Sequence, residues 1–440
     1  MKSNVKAFLA GLLALSIALA CACGKKEEET TKKKSKKTSS TTTETTLPEE
    51  PTEEPSEETS ESTTESTTES TTESTTESTA ESTTESQEKP SASESYDAPS
   101  SFSVSTADDY MTAIDFDGVV LAAEGDQILY SYVGGLADRE NGIANEMDTV
   151  FEFGSITKQF TAIAIMQLEE AGKLSTDDKL DKYLPEYSHA GEITIHQLLN
   201  MTSGIPDYLY TGALGISLDF HGLSLSDLIY LEDTLRKVVT TPVVKSELVN
   251  SISLLPLNFA PGSQYEYSNT NYYFLGMIIE QLSGMSYDEY IRKNILEPLS
   301  LKEIYPDIDH LTSCGRTDLG LMKYDLPSQD PSISFAAGVM TGTANGLWDW
   351  EKYVMDGALL SPESWKKILD GGSFGYGYGW NIYSGYIEHS GMTLGYNTCV
   401  RVDSKTRRVI IVLSNIQPLA GTPKRPMSSD IADRLWTLYS

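Results

Sequence analysis

An α+β fold is predicted: an antiparallel sheet flanked by helices, built from both ends of one domain, with a mainly helical lobe inserted between them. Three observations lead there. Strand-like stretches gather near the start and the end of residues 106–440, helical spacing dominates the middle, and no internal repeat is present. One sheet made from both chain ends buries these apolar faces most economically, and a cleft between sheet and lobe becomes the expected binding site.

The elements follow in chain order. "FDGVVLAAEGDQILYSYVGG" reads as two strands joined at Glu124-Gly125-Asp126, a glycine-containing hairpin turn. "KQFTAIAIMQLEEAGK" sets Phe160, Ile163, Ala164 and Leu168 at helical spacing and stops at Gly172. "TIHQLLNMTSG" and "TNYYFLGMIIEQLSGMS" repeat that pattern, with stops expected at Gly204 and Gly284. Four strand-like stretches come next: "GYGWNIYS", "YIEHSG", "GYNTCVRVD" and "RRVIIVLSN". Residues 429–438 close the chain as a helix.

Ahead of this domain lie two segments of different composition. Residues 1–23 read as a lipoprotein signal peptide: Lys2 and Lys6 precede an apolar run, and "ALACACGKK" resembles a bacterial lipobox with Cys21 or Cys23 as the lipidated residue. That expectation anchors the mature protein to a membrane by lipid and places it outside the cytoplasm. Residues 24–105 form a Ser/Thr/Glu-rich linker with a four-residue repeat, too poor in apolar groups to offset the entropy of ordering. As a coil it would span roughly 50 Å, the reach of a tether through a cell wall.

Charge narrows the possible partners. Residues 106–440 carry 44 acids against 23 bases, a net of −21, which disfavours nucleic acid and anionic lipid surfaces. Cys314 and Cys399 can pair after export or remain two thiols, and spacing does not decide between them. The five histidines lack His-x-x-x-His or His-Glu-x-x-His spacing, so neither a metal nor another cofactor is expected.

Ser-x-x-Lys occurs four times, at Ser3–Lys6, Ser86–Lys89, Ser155–Lys158 and Ser364–Lys367. Only Ser155 opens a strongly apolar helix, where positions i and i+3 share a face and the lysine can reach the hydroxyl. A helix cap alone would favour Glu or Gln at the position of Lys158, because the helix dipole disfavours a cation there. A helix N-terminus lowers the proton affinity of groups near it, so a partly buried, neutral Lys158 can instead accept the Ser155 proton. Tyr267-Ser268-Asn269 is the only Tyr-x-Asn in the chain. Its tyrosine can act as a phenolate or a proton relay, and its amide can orient a substrate carbonyl and Lys158. His389-Ser390-Gly391 lies on an expected strand, whose glycine admits close backbone approach. His189-Ala190-Gly191 has the same His-x-Gly form but sits in a loop.

Taken in this order, the three elements resemble the serine β-lactamase and penicillin-binding-protein superfamily, nearest its class C β-lactamase-related branch. "FEFGSITKQFTAIAIMQLEEAGKL", "ITIHQLLNMTSGIPDY", "PGSQYEYSNTNYYFLG", "AAGVMTG" and "YGYGW…HSGMTLGY" are similar to that family's blocks, over roughly residues 110–438. The resemblance implies a β-lactamase/transpeptidase-like fold and an acyl-enzyme route. It implies Ser155 as nucleophile, Lys158 as base, Tyr267 in proton transfer and Asn269 in the polar network. By the same match, His389, Ser390 and Gly391 line the substrate, and the N–H groups of Ser155 and Met392 make the oxyanion hole. His389 stands where the superfamily carries the lysine of Lys-Thr/Ser-Gly, which weakens anion recognition and predicts poor β-lactam hydrolysis. Met201 stands where relatives commonly carry His, and residues 211–255 look less family-like.

The expected protein is therefore a membrane-anchored serine hydrolase acting on D-amino-acid peptides of the cell wall, or on small esters and amides. Peptidoglycan is a possible partner, and nucleic acid is not. Two alternatives stay open: a β-lactam-hydrolysing enzyme, and a non-catalytic surface-binding module of the same fold.

Overall fold

Strand β1 (Gly118–Glu124) and strand β2 (Gln127–Gly134) pair across a turn in which Gly125 has φ 59°. The apolar run of β1 is buried on both faces, so it belongs at the centre of a sheet. The computed structural model describes residues 106–215, 217, 234, 236–318, 323–325, 327–418 and 426–439. Residues 1–23 with Cys21 and Cys23, and the linker 24–105, lie outside the described residues, as does part of 211–255.

Four strands from the other end of the domain complete the sheet: β3 (Asn381–Ile382), β4 (Ile387–Thr393), β5 (Tyr396–Asp403) and β6 (Arg408–Ser414). The order is β3-β4-β5-β6-β1-β2, antiparallel throughout. Both chain ends thus meet at the β6–β1 pair, with Gly118 opposite Ser414.

Side-chain alternation divides the sheet between two cores. Val120, Ala122, Ile410 and Val412 point to one face, where helices α1 (Ala107–Ala113) and α5 (Ser428–Leu438) cover them with Met111, Ile431 and Leu435. Val119, Leu121, Ile411 and Leu413 point to the other face, against the larger core. That core holds α2 (Thr157–Glu170), α3 (Asn269–Ser283) and α4 (Ala344–Met355). Helix α2 is buried from Thr157 through Met166 without a break, which suits a helix enclosed on all sides. Helix α3 ends at Gly284, whose φ of 70° supplies the left-handed cap.

Two boundaries differ from the sequence expectation. The helix expected to run to Gly204 spans Ile195–Leu199, because Met201 takes a left-handed φ of 61° and Thr202 N–H turns back to Gln197 O. "GYGWNIYS" contributes only Asn381–Ile382 as strand. Gly379, at φ 83°, lies where a Cβ would come within 2.8 Å of Lys158 O, so that segment wraps the start of α2 instead of pairing. No disulfide joins Cys314, on the surface, to Cys399, buried in the sheet.

Candidate active site

Ser155 lies in a short 3-10 turn, Gly154–Ile156, that leads directly into α2. No side chain caps that turn; the Ser155 hydroxyl accepts a hydrogen bond from Lys158 Nζ at 3.0 Å. The turn is fixed from outside. Phe153 N–H donates to Met340 O, Met340 N–H donates to Thr157 Oγ1, and Thr398 Oγ1 donates to Phe153 O. Gly154 adopts φ 56°, and a Cβ there would stand 2.8 Å from Met392 N. Strand β4 therefore runs flush against the turn that carries Ser155, with the Met392 amide against Gly154.

Lys158 is completely buried. Besides Ser155, its Nζ donates to Asn269 Oδ1 and to Ala337 O, each at 2.8 Å. Burial pulls its pKa down to about 7, against an opposing pull from the Asp207 carboxylate. A neutral amine keeps two N–H groups and one lone pair. With Asn269 and Ala337 taking the two N–H groups, the lone pair is left facing Ser155 Oγ, ready to accept its proton.

Asn269 is itself held. Its backbone N–H and its Nδ2 both donate to Asp207 Oδ2, at 2.9 and 2.7 Å, while Asp207 Oδ1 accepts from Leu209 N–H at 2.9 Å. Because Nδ2 is committed to a carboxylate, Oδ1 must face Lys158. Asp207 thereby fixes the amide orientation on which the Lys158 geometry depends.

Tyr267 sits with Lys158 Nζ 4.9 Å from its ring centroid, and its hydroxyl is directed to Ser155 without closing a hydrogen bond. Burial holds its pKa well above 10, so the phenolate considered from sequence is not the resting form. A neutral phenol is suited instead to donating a proton.

His389 lies inside the site, 3% exposed, with its ring centroid 6.2 Å from that of Tyr267. Its Nδ1 donates to Ser390 O at 2.7 Å and its Nε2 accepts from Tyr376 Oη at 3.0 Å. Burial and the neighbouring Lys158 push its pKa down to about 3, which makes it a neutral ring wedged behind the cleft. Ser390 is half-buried, and Met392 extends outward at 44% exposure. Gly391 has no room for a side chain, since a Cβ would lie 1.9 Å from Phe153 O.

The structure thus gathers Ser155, Lys158, Tyr267, Asn269, His389, Gly391 and Met392 around one another. Ser3–Lys6 and Ser86–Lys89 lie outside the described residues, and the remaining patterns have other partners. Ser364 donates to Glu170 and Lys367 pairs with Glu169, while His189 pairs with Glu192 in its loop. Asp207, Ala337 and Tyr376 join the site without having been assigned a role from sequence. Each nevertheless falls inside a quoted block: "SGIPDY", "AAGVMTG" and "YGYGW".

Comparison with known proteins identifies the family and the fold. Residues 104–428 match the Beta-lactamase family model. Penicillin-binding protein 4* of Bacillus subtilis is 30% identical over 329 residues, covering 68% of each chain. A penicillin-binding protein structure from Bacillus halodurans superimposes with a TM-score of 0.62 at 24% identity, covering 76% of this chain and all of that one. The D-amino acid amidase of Ochrobactrum anthropi superimposes with a TM-score of 0.61 at 20% identity, covering 75% of this chain and 99% of the other, and so shares the fold. The chain belongs to the β-lactamase family and is a serine hydrolase of the penicillin-binding-protein and β-lactamase fold.

Proposed function

We propose that this protein is a lipid-anchored, extracytoplasmic hydrolase that forms an acyl-enzyme at Ser155, acting on D-amino-acid peptides of the cell wall or on small esters and amides. The observation that supports it most is the buried Lys158, whose two other hydrogen bonds leave a lone pair aimed at Ser155 Oγ. In acylation Ser155 Oγ bonds to the substrate carbonyl carbon and its proton passes to Lys158. The oxyanion gathers at the amides of Ser155 and Met392. Collapse breaks the bond to the leaving group, which takes a proton through Tyr267. Water then attacks the ester by the reverse proton route and releases the acid.

Purified protein incubated with a nitrophenyl ester panel and a fluorescent penicillin, beside Ser155→Ala, tests the reading. Wild type is expected to turn over esters and to take up the penicillin slowly, whereas Ser155→Ala does neither. Turnover that survives in Ser155→Ala would refute the nucleophile assignment.

A further inference from the structure

Next to the site lies a row of aromatic rings that the acylation chemistry does not use. The Tyr267 ring meets the buried Tyr376 ring edge-on, centroids 6.2 Å apart. Tyr376 contacts Tyr265 at 6.0 Å, and Tyr265 stacks on Phe374 at 6.4 Å with 29° between planes. Tyr376 is buried and Tyr267 half-buried, but Tyr265 and Phe374 open to solvent at 36% and 45% exposure. An aromatic pair held at the surface leaves apolar area uncovered that a ligand can take out of water.

The row starts at Tyr267, the residue that gives a proton to the departing group, so it borders the leaving-group side of the cleft. Beside Tyr267 and Tyr376 lies the buried ring of His389, its centroid 6.2 and 5.8 Å from theirs. Its Nδ1 is engaged by Ser390 O and its Nε2 by Tyr376 Oη. The same Tyr376 that packs against Tyr265 therefore also occupies the ring nitrogen nearest it.

From this arrangement, and resting on the hydrolase reading above, we propose that Tyr265 and Phe374 form a leaving-group subsite selecting substrates whose departing amine or alcohol is uncharged and apolar, rather than one ending in a carboxylate. Within the proposed substrate range, this favours esters and amides with hydrophobic leaving groups over carboxyl-terminal peptides. A carboxylate placed there would meet the faces of two aromatic rings, which take it out of water without a compensating charge.

Three esters with one D-alanyl acyl group and different alcohols decide the matter: benzyl alcohol, glycolamide and glycolate. Their kcat/KM values report transition-state binding up to acylation, whatever the deacylation rate. The benzyl ester is expected to exceed the glycolate ester by at least about tenfold. Tyr265→Ala and Phe374→Ala each lower the benzyl value by about tenfold and the glycolamide value by less than about twofold, while Phe374→Leu retains most of it. A glycolate ester cleaved as well as the benzyl ester would overturn the proposal. So would alanine variants that depress all three esters equally, or that change only sedimentation, the sign of a self-association surface. Mass spectrometry of wild type separates the two levels. A Ser155 adduct with the wrong ester preference sinks the subsite alone, whereas no adduct with any ester sinks the hydrolase reading and the subsite with it.

Discussion

At Lys158 two opposing influences set one protonation state. Burial strips water from the ammonium and brings its pKa to about 7, and Asp207 acts from behind Asn269 to hold it from falling further. The neutral fraction, which alone can take the Ser155 proton, therefore grows as pH rises through about 7. An acid limb near that pH is expected in kcat/KM. Asp207→Asn removes the charge that favours the ammonium, so this limb moves to lower pH. It also frees the Asn269 amide to turn, which lowers kcat/KM by about tenfold to a hundredfold. The pH profile of acylation in wild type and variant checks both effects. A lowered plateau with an unmoved limb would mean that Asp207 acts through packing alone.

At the scale of elements, the decisive contact is that of strand β4 with the 3-10 turn before α2. Neither the strand nor the turn could approach so closely with side chains at Gly391 and Gly154. A Cβ at Gly391 would stand 1.9 Å from Phe153 O and 2.4 Å from Thr398 Oγ1. Gly391→Ala is thus expected to push the Met392 amide away from Ser155, cutting the acylation rate by at least about a hundredfold, as loss of one oxyanion donor does. The melting temperature falls with it, because overpacking there costs about 1–3 kcal/mol. A variant that acylates and melts like wild type would show that the strand can yield without harm. This contact also shows what could be read from the chain beforehand. Strands β1 and β6 announce themselves through uninterrupted apolar runs, β2, β4 and β5 as short strand-like stretches between turn residues, and helices α2 and α3 through helical spacing that ends in glycine. Ser155, Lys158, Tyr267 and Asn269 stand out because their types are unusual in those places. Asp207 and Tyr376 do not, since an acid or a tyrosine in a loop has many ordinary uses. Ala337 contributes a main-chain carbonyl 179 positions from Lys158, which no side-chain pattern encodes. The early end of the helix at Leu199 turns on the left-handed backbone at Met201, a residue that seldom adopts it.

Across the whole molecule, the site is one of several places where ionisable groups are kept dry inside the larger core, and their linkage to folding runs in opposite directions. Glu351 on α4 lies fully buried beside Gln159, with neither carboxyl oxygen hydrogen-bonded, and burial raises its pKa to about 8. Glu152, next to the turn that carries Ser155, is raised to about 7 by the same cause. In the unfolded chain both ionise near 4.5, so between that pH and about 7 to 8 the native state binds more protons and stability falls as pH rises. Lys158 has the reverse sign: it is protonated when unfolded up to about 10.5 but neutral in the fold above about 7, so it adds stability as pH climbs between those values. The sum predicts a stability minimum on the mildly alkaline side of neutrality, where both carboxyls have ionised and the lysine contribution has only begun. Glu351→Gln retains the shape of the protonated acid and cannot ionise, so it should flatten most of the decline between pH 5 and 8. Relative to wild type, the gain at pH 8 over pH 5 is on the order of 4 kcal/mol, because a one-proton difference between folded and unfolded chains changes stability by about 1.4 kcal/mol for each step of one in pH. Urea unfolding midpoints of both proteins across that range measure it. Parallel curves would show that the buried carboxyl of Glu351 is not what makes the folded protein sensitive to alkali.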